Sequence, residues 1–262
     1  MNSENKKLAE TVSEYGKVAV ALSGGLDSSA LLAFCADVLG AENCLAITAR
    51  SPYMMASETA RSESLCRRLG AEWLPLDFQI SERLRNNPPE RCYICKNIIF
   101  FKIKEEAFSR GFKILCDGTN ADDLSDYRPG MRALKELEVA SPFLECGIGK
   151  SGIREIAAQF GIAATPACAC LLTRIEHGET VSEDCLRRID EAENFIKTLG
   201  FENIRVRLHG GCARIETDKS YFDGFCSKNI FSTVHEKLKD LGFKYVSLDL
   251  NGYERGSMNF KK

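Results

Sequence analysis

"SGGLDSS", residues 23–29, is the stretch whose reading decides the fold of this chain. It follows "KVAVAL" (17–22), a short apolar run that reads as a buried strand, and it leads into an amphipathic helix from about Ser28 to Leu39. Gly24 and Gly25 let the backbone turn tightly and bring N–H groups close to a ligand. The N-terminus of the new helix adds positive potential. Ser23, Ser28 and Ser29 add hydroxyl donors. Asp27 can place Mg2+ or a nucleotide, or it can cap the helix. A strand, a glycine turn and a helix in this order make a cradle for a pyrophosphate.

The rest of the first half repeats the alternation. "CLAITA" (44–49), "EWLPL" (72–76) and "KILCDG" (113–118) read as strands. Helices are expected from about Ser57 to Leu69, from the turn "NNPP" to about Ser109, and from about Ser151 to Phe160. Strands alternating with helices predict an α/β fold, a parallel sheet with helices on both faces, with its site at the strand-to-loop ends. After residue 176 the texture changes. A charged helix (182–199), two short strands (204–210 and 212–217), a helix near Ser227–Leu241 and a last strand (244–250) predict a small C-terminal α+β domain. The expected division is therefore 1–176 and 177–262.

Composition excludes several classes. No apolar run reaches the roughly 18 residues that cross a bilayer, so no membrane association is expected. Met1 to Glu14 is polar and mixed in charge, without the apolar centre of a secretory signal, which predicts a cytoplasmic protein. The net charge of −2 lacks the basic surplus of a protein that grips a long nucleic acid, so no nucleic-acid partner is expected. Twelve cysteines are many for a cytosolic chain. A disulfide framework fits poorly with this length. Cys35, Cys66 and Cys116 sit in apolar patterns and read as buried small hydrophobes. "GIGKS" (147–151) ends like a Walker A loop, but Leu144 stands where that pattern requires glycine. Lys150 and Ser151 are read instead as opening a helix, with Ser151 as its cap.

"SGGLDSS" resembles the PP-loop of the ATP pyrophosphatase superfamily, whose pattern is SGGxDS. "NADDLSDYRPG" (120–130), "ACLLTR" (169–174), "RVRLHGGCARIE" (205–216) and "LDLNGYERGSMN" (248–259) resemble the LarE family, and the likeness covers nearly the whole chain. Members of that family are ATP-dependent sulfur transferases of nickel-pincer cofactor synthesis. The resemblance implies a small-molecule substrate, pyridinium-3,5-biscarboxylic acid mononucleotide. It further implies adenylation of a carboxylate with release of pyrophosphate, attack by a cysteine thiolate, and a homo-oligomer. In sacrificial members, cleavage of the cysteine's carbon–sulfur bond leaves sulfur on the product and dehydroalanine in the protein.

Cys170 matches the cysteine of the family's CLxxR pattern, with Arg174 four residues on, where a cation favours thiolate. Cys168 is a second thiol of the same stretch. "RCYICK" (91–96) supplies Cys92 and Cys95, a spacing that binds metal, holds a cluster or forms a redox pair. Cluster-dependent relatives suggest a [4Fe–4S] cluster on Cys92, Cys95 and Cys170, with Cys168 as an alternative or additional thiol, and either Cys168 or Cys170 as the sulfur donor. Lys96 can neutralise phosphate charge. Asp27 and Asp126 are candidate Mg2+ ligands, with Asp122 and Asp123 in the same acidic loop. Arg205 and Arg207 alternate on a presumed strand and suit the substrate phosphate, or else form a solvated basic face. Glu193 is either a substrate or metal contact or a solvent-facing helix glutamate. His177 and His209 read as packing or surface residues. A tRNA thiolase, an ammonia-using synthetase and a non-catalytic ATP- or metal-binding module remain alternatives.

Overall fold

The computed structural model describes residues 3–125, 129–164, 169–254 and 258. The chain divides into two compact units, Met1–Gln79 with Glu90–Cys168, and Ile80–Pro89 with Ala169–Lys262. This differs from the 1–176 and 177–262 split in two places: residues 80–89 and residues 169–176 both group with the second unit.

The first unit contains, in order, α1 (Ser3–Tyr15), β1 (Val18–Ala21), α2 (Leu26–Leu39), β2 (Cys44–Arg50), α3 (Ala56–Leu69) and β3 (Glu72–Asp77). It continues with α4 (Arg91–Ser109), β4 (Ile114–Cys116), α5 (Gly130–Glu136), α6 (Pro142–Glu145) and α7 (Lys150–Gln159). The strands form one sheet in the order β3-β2-β1-β4, and every pair is parallel. Alternate strand residues face opposite sides. Val18, Val20 and Ala46 pack with Leu8 and Val12 of α1, Phe34 of α2, and Ile153 and Ile156 of α7. Ala19, Leu45, Ile47 and Leu115 pack with Ile99, Ile103 and Ala107 of α4. Burial on both faces is why these strands read as continuous apolar runs.

Two elements depart from the sequence reading. Helix α2 is not an amphipathic surface helix, because Ser28 through Cys35 are all buried. Helix α1 was hidden in the polar N-terminus. Leu8 and Val12, four residues apart, are buried in the core with Ala9 and Tyr15 packed beside them, and most of the other side chains are polar or charged.

Strand order fixes where a ligand can bind. The chain moves outward from β1 to β2 and β3, then returns to pair β4 with the other edge of β1. The order therefore reverses between β1 and β4, and the crevice lies beyond their carboxyl ends. The glycine turn follows β1 and the loop 117–120 follows β4, so the fold brings both to this crevice.

The second unit holds α8 (Glu183–Thr198), β5 (Arg205–His209), β6 (Cys212–Glu216), α9 (Phe222–Phe225), α10 (Lys228–Asp240) and β7 (Tyr245–Leu248). Strand β6 pairs antiparallel with β5 and parallel with β7. Ser182 caps α8 by accepting from Cys185 N, which satisfies one of the helix's orphan donors. Leu186, Ile189 and Ile196 of α8 are fully buried, as are Val206 and Leu238. Residues 80–89 belong here because the Asn87 side-chain amide donates to the carbonyls of Leu172, Ile175 and Glu176 at 3.2, 2.7 and 3.2 Å. Val181 N also donates to Arg85 O at 2.7 Å. Among the described residues, no helix is long and apolar enough to cross a membrane.

Asn87 is fully buried, so Asn87→Ala takes a donor away from carbonyls that lie in the interior. The substitution is expected to lower stability by about 1–3 kcal/mol in urea denaturation. A change below about 0.5 kcal/mol would show that these bonds do not hold the 80–89 segment.

Candidate active site

The glycine turn is shaped by backbone packing. Gly24 has φ +74°, and a Cβ there would stand 2.1 Å from the Glu58 carbonyl oxygen at the start of α3. Both facts demand glycine. Gly25 ends the turn as the N-cap of α2, and no side chain caps that helix. The serines brace the loop: Ser23 N donates to Ser28 Oγ at 3.2 Å, and the two hydroxyls lie 3.1 Å apart. A cavity of about 280 Å3 opens beside the turn, lined among others by Gly24, Gly25, Ser29, Arg61, Arg68 and Gly161. Arg61 Nε donates to Gly24 O at 3.1 Å and Arg68 Nη1 to Gly161 O at 3.1 Å. Uncapped helix amides, a close backbone and two guanidinium groups fit a polyphosphate. A larger cavity of about 510 Å3 lies beside Arg50, Trp73 and Asp77 and shares no lining residue with the turn. The smaller cavity, at the turn, is the candidate by its chemistry rather than its size.

Across the crevice, the loop after β4 touches the same helix. A Cβ on Gly118 would stand 2.7 Å from Ser28 N. Asn120 Nδ2 donates to Asp27 Oδ2 at 3.2 Å and to Asp123 Oδ2 at 3.1 Å. Asp27 also forms an ion pair with Lys150 Nζ. "GIGKS" opens a helix at Lys150, as its sequence suggests, and only the cap is corrected. Gly149, not Ser151, is the N-cap of α7. The capping carboxylate comes from Asp122, whose Oδ2 accepts from Lys150 N at 2.7 Å. Only the fold shows this, because Lys150 lies 123 residues from Asp27. Lys96 Nζ lies 3.9 Å from Asp117 Oδ2 and over the ring of Phe100. Asp117 is buried and accepts from Ser141 Oγ at 2.7 Å and from Thr119 Oγ1 at 2.5 Å. Asp126 lies outside the described residues.

The cysteines separate by burial. Removal from water pushes the thiol of Cys44 up to about 11 and that of Cys66 up to about 12. Burial pushes Cys35 and Cys116 up as well, with the Asp117 carboxylate adding to the effect at Cys116. These are inert thiols, as expected for Cys35, Cys66 and Cys116. Cys92 and Cys95 lie near the N-terminus of α4, where three-residue spacing sets them on one face. Cys92 is exposed and Cys95 is half-buried, with its Sγ donating to Tyr53 Oη at 3.5 Å. Cys170, half-buried, is the N-cap of a 3-10 turn, Leu171–Arg174. Cys168 lies outside the described residues. Within either unit, among the described residues, no three His, Cys, Asp or Glu side chains converge as a metal site.

In the second unit the charged candidates are buried. Arg174 and Glu193 are both 0% exposed and form a bidentate pair, Nε to Oε1 at 2.8 Å and Nη2 to Oε2 at 3.1 Å. Glu193 Oε1 also accepts from Val206 N at 3.0 Å. The solvent-facing alternative for Glu193 is thereby corrected. Its spacing from Leu186, Ile189 and Ile196 sets it on the apolar face of α8, and that pattern was readable in the sequence. Arg207 donates from Nε and Nη2 to Glu216 Oε2 at 3.0 and 2.8 Å, and from Nη1 to Thr173 O at 2.8 Å. Arg205 donates to Ile204 O and lies over the ring of Tyr253. Both arginines are buried, so β5 carries no solvated basic face. His209 Nδ1 lies 3.1 Å from Glu176 Oε2.

Residues 1–87 match the NAD synthase family. Over 96% of this chain and 92% of the relative, the sequence is 32% identical to the pyridinium-3,5-bisthiocarboxylic acid mononucleotide synthase of Lactiplantibacillus plantarum. It is 33% identical to an uncharacterized protein of Synechocystis, over 99% of this chain and 98% of that one. It is 34% identical to an uncharacterized protein of Methanocaldococcus jannaschii, over 90% of each.

Two outcomes are expected. Arg174→Ala leaves Glu193 charged, buried and unpaired, and is expected to cost about 3–5 kcal/mol in chemical denaturation. Lys150→Ala breaks a part-exposed pair and is expected to cost less than about 1 kcal/mol. Equal losses would contradict the contrast in burial. For the thiols, peptide-resolved iodoacetamide labelling at neutral pH is expected to modify Cys92 and Cys226, and to reach Cys35, Cys44, Cys66 and Cys116 only on unfolding. The unfolded chain releases those protons near pH ~8.5 and the folded chain releases them later. Stability is therefore expected to fall as pH rises above that value.

Proposed function

The chain belongs to the LarE family of PP-loop sulfur transferases, and we propose that it makes a pyridinium thiocarboxylate mononucleotide for nickel-pincer cofactor synthesis. The observation that carries this is the crevice between β1 and β4. There the turn around Gly24 presents an uncapped helix N-terminus, and Asp27 is already paired with a cation, Lys150. Adenylation needs these groups. The pyridinium carboxylate attacks the α-phosphorus of ATP, the bond between the α and β phosphates breaks, and pyrophosphate leaves with its charge met by the turn. Lys150 turns from Asp27 towards the phosphates, and Lys96 adds a second positive charge. Asp27 is the carboxylate that would hold Mg2+.

The Cys170 thiolate then attacks the acyl-adenylate carbonyl and displaces AMP, which leaves a thioester. Removal of the cysteine Cα proton breaks the Cβ–Sγ bond. The sulfur and its electron pair leave as thiocarboxylate, and residue 170 becomes dehydroalanine. Arg205, with its face on Tyr253, takes the substrate phosphate. Arg207 is held by Glu216 and Thr173.

A second source of sulfur is favoured by one observation, the C-x-x-C near the N-terminus of α4. Cys92 and Cys95 fit two thiolate ligands of a [4Fe–4S] cluster, and Cys170 is the third that the resemblance implies. Such a cluster, when bound, supplies a sulfide on its open iron and spares the cysteine.

The test is pyrophosphate release from ATP with pyridinium-3,5-biscarboxylic acid mononucleotide. Release is expected only with that substrate. It should fall by about 10²–10³-fold in Lys150→Met. Cys170→Ala is expected to keep adenylating without forming thiocarboxylate. Release without substrate, or with tRNA alone, would overturn the reading. Iron and acid-labile sulfide after anaerobic reconstitution, against a loss of one sulfur from the intact mass after reaction, separates the two sources.

A further inference from the structure

The turn that carries Cys170 is held from two directions by buried ion pairs. Arg174 Nη1 donates to Ala169 O at 2.8 Å, to Thr173 Oγ1 at 2.9 Å and, more weakly, to Cys170 O at 3.4 Å. The Thr173 hydroxyl donates to Cys170 O at 2.8 Å, and Thr173 N donates to the same carbonyl at 3.0 Å. Arg207 Nη1 closes the far end on Thr173 O at 2.8 Å. Behind these contacts each guanidinium is fixed by its own carboxylate, Arg174 by Glu193 and Arg207 by Glu216. Leu171 and Leu172 anchor the turn in the core.

Stability alone does not account for this arrangement. A buried ion pair is a poor source of stability, because desolvation offsets much of the Coulomb attraction, and apolar residues of like volume do as well or better. Two such pairs around one short turn do something an apolar core cannot. They bind the carbonyls of residues 169, 170 and 173 in fixed directions, since a guanidinium fork bonds along defined lines.

We propose that Arg174–Glu193 and Arg207–Glu216 are positioning pairs. They act through the backbone of residues 169–173 to set the direction in which the Cys170 thiol is presented, with the Thr173 hydroxyl as the bridge. Arg174 thereby serves geometry. The proposal rests on the reading of Cys170 as the reacting thiol.

Thr173→Val tests it, because the variant removes the bridging hydroxyl and leaves both ion pairs in place. Single-turnover transfer of sulfur is expected to fall about 10-fold, since misplacing a reacting group by ~1 Å costs up to ~10²-fold. Pyrophosphate release, KM for ATP and Tm are expected to stay within about twofold or a few degrees of the parent. Thr173→Ser restores the hydroxyl and is expected to restore transfer. Glu193→Gln, which keeps acceptors for Arg174 and Val206, is expected to lose transfer more deeply while still binding ATP. Parent-like transfer by Thr173→Val, with Cys170→Ala inactive in transfer, would overturn the positioning role alone. A parallel fall in pyrophosphate release and transfer would overturn it as well, by revealing general damage. Transfer by Cys170→Ala would overturn the reading of the thiol, and the proposal with it.

Discussion

No side chain fits at position 24 of the turn after β1, nor at position 118 of the loop after β4. Glu58 O lies 2.1 Å from where a Cβ on residue 24 would stand, and Ser28 N lies 2.7 Å from where a Cβ on residue 118 would stand. The crevice is therefore built by backbone against backbone. Close backbone packing of this kind preorganises the loop's donors, and a preorganised donor set does not reorganise when charge develops. The parallel sheet makes the contact possible, because its order reverses between β1 and β4 and delivers both loops to one place.

The two units use charge in different ways. At the crevice, Lys150 and Asp27 keep 37% and 23% of their side-chain surface exposed, and Lys96 sits 3.9 Å from its carboxylate. Pairs of this kind are held weakly and can exchange partners when a phosphate arrives. In the second unit, Arg174 with Glu193 and Arg207 with Glu216 are sealed from water. Separating them would expose an uncompensated charge to a low dielectric, so they stay paired. Exchangeable charge suits binding and release of a nucleotide. Permanent charge suits holding a turn still.

The cysteines follow the same division by environment. Four thiols buried in the first unit resist ionisation because the thiolate would lose its hydration. Cys92, Cys95 and Cys170 instead keep access to water. A count of twelve thus overstates the reactive chemistry of the chain.

Local pattern carried much of this into the sequence. The SGGLDSS turn, the apolar strand runs and the change of texture near residue 176 determined the α/β sheet, the glycine turn after β1 and a second, smaller unit. Each depends on spacing within a few residues, where steric and periodic rules act directly. The Glu193 position was also legible, from an apolar stripe at helical spacing with one glutamate inside it. Only the tertiary structure decided the rest. It assigned residues 80–89 to the second unit through the Asn87 amide, drew α1 into the core through Leu8 and Val12 with Ala9 and Tyr15 beside them, and brought Lys150 to Asp27 across 123 residues. It also closed Arg174 and Arg207 around the Cys170 turn. These outcomes rest on which groups meet after folding, and a sequence records each partner without recording the meeting.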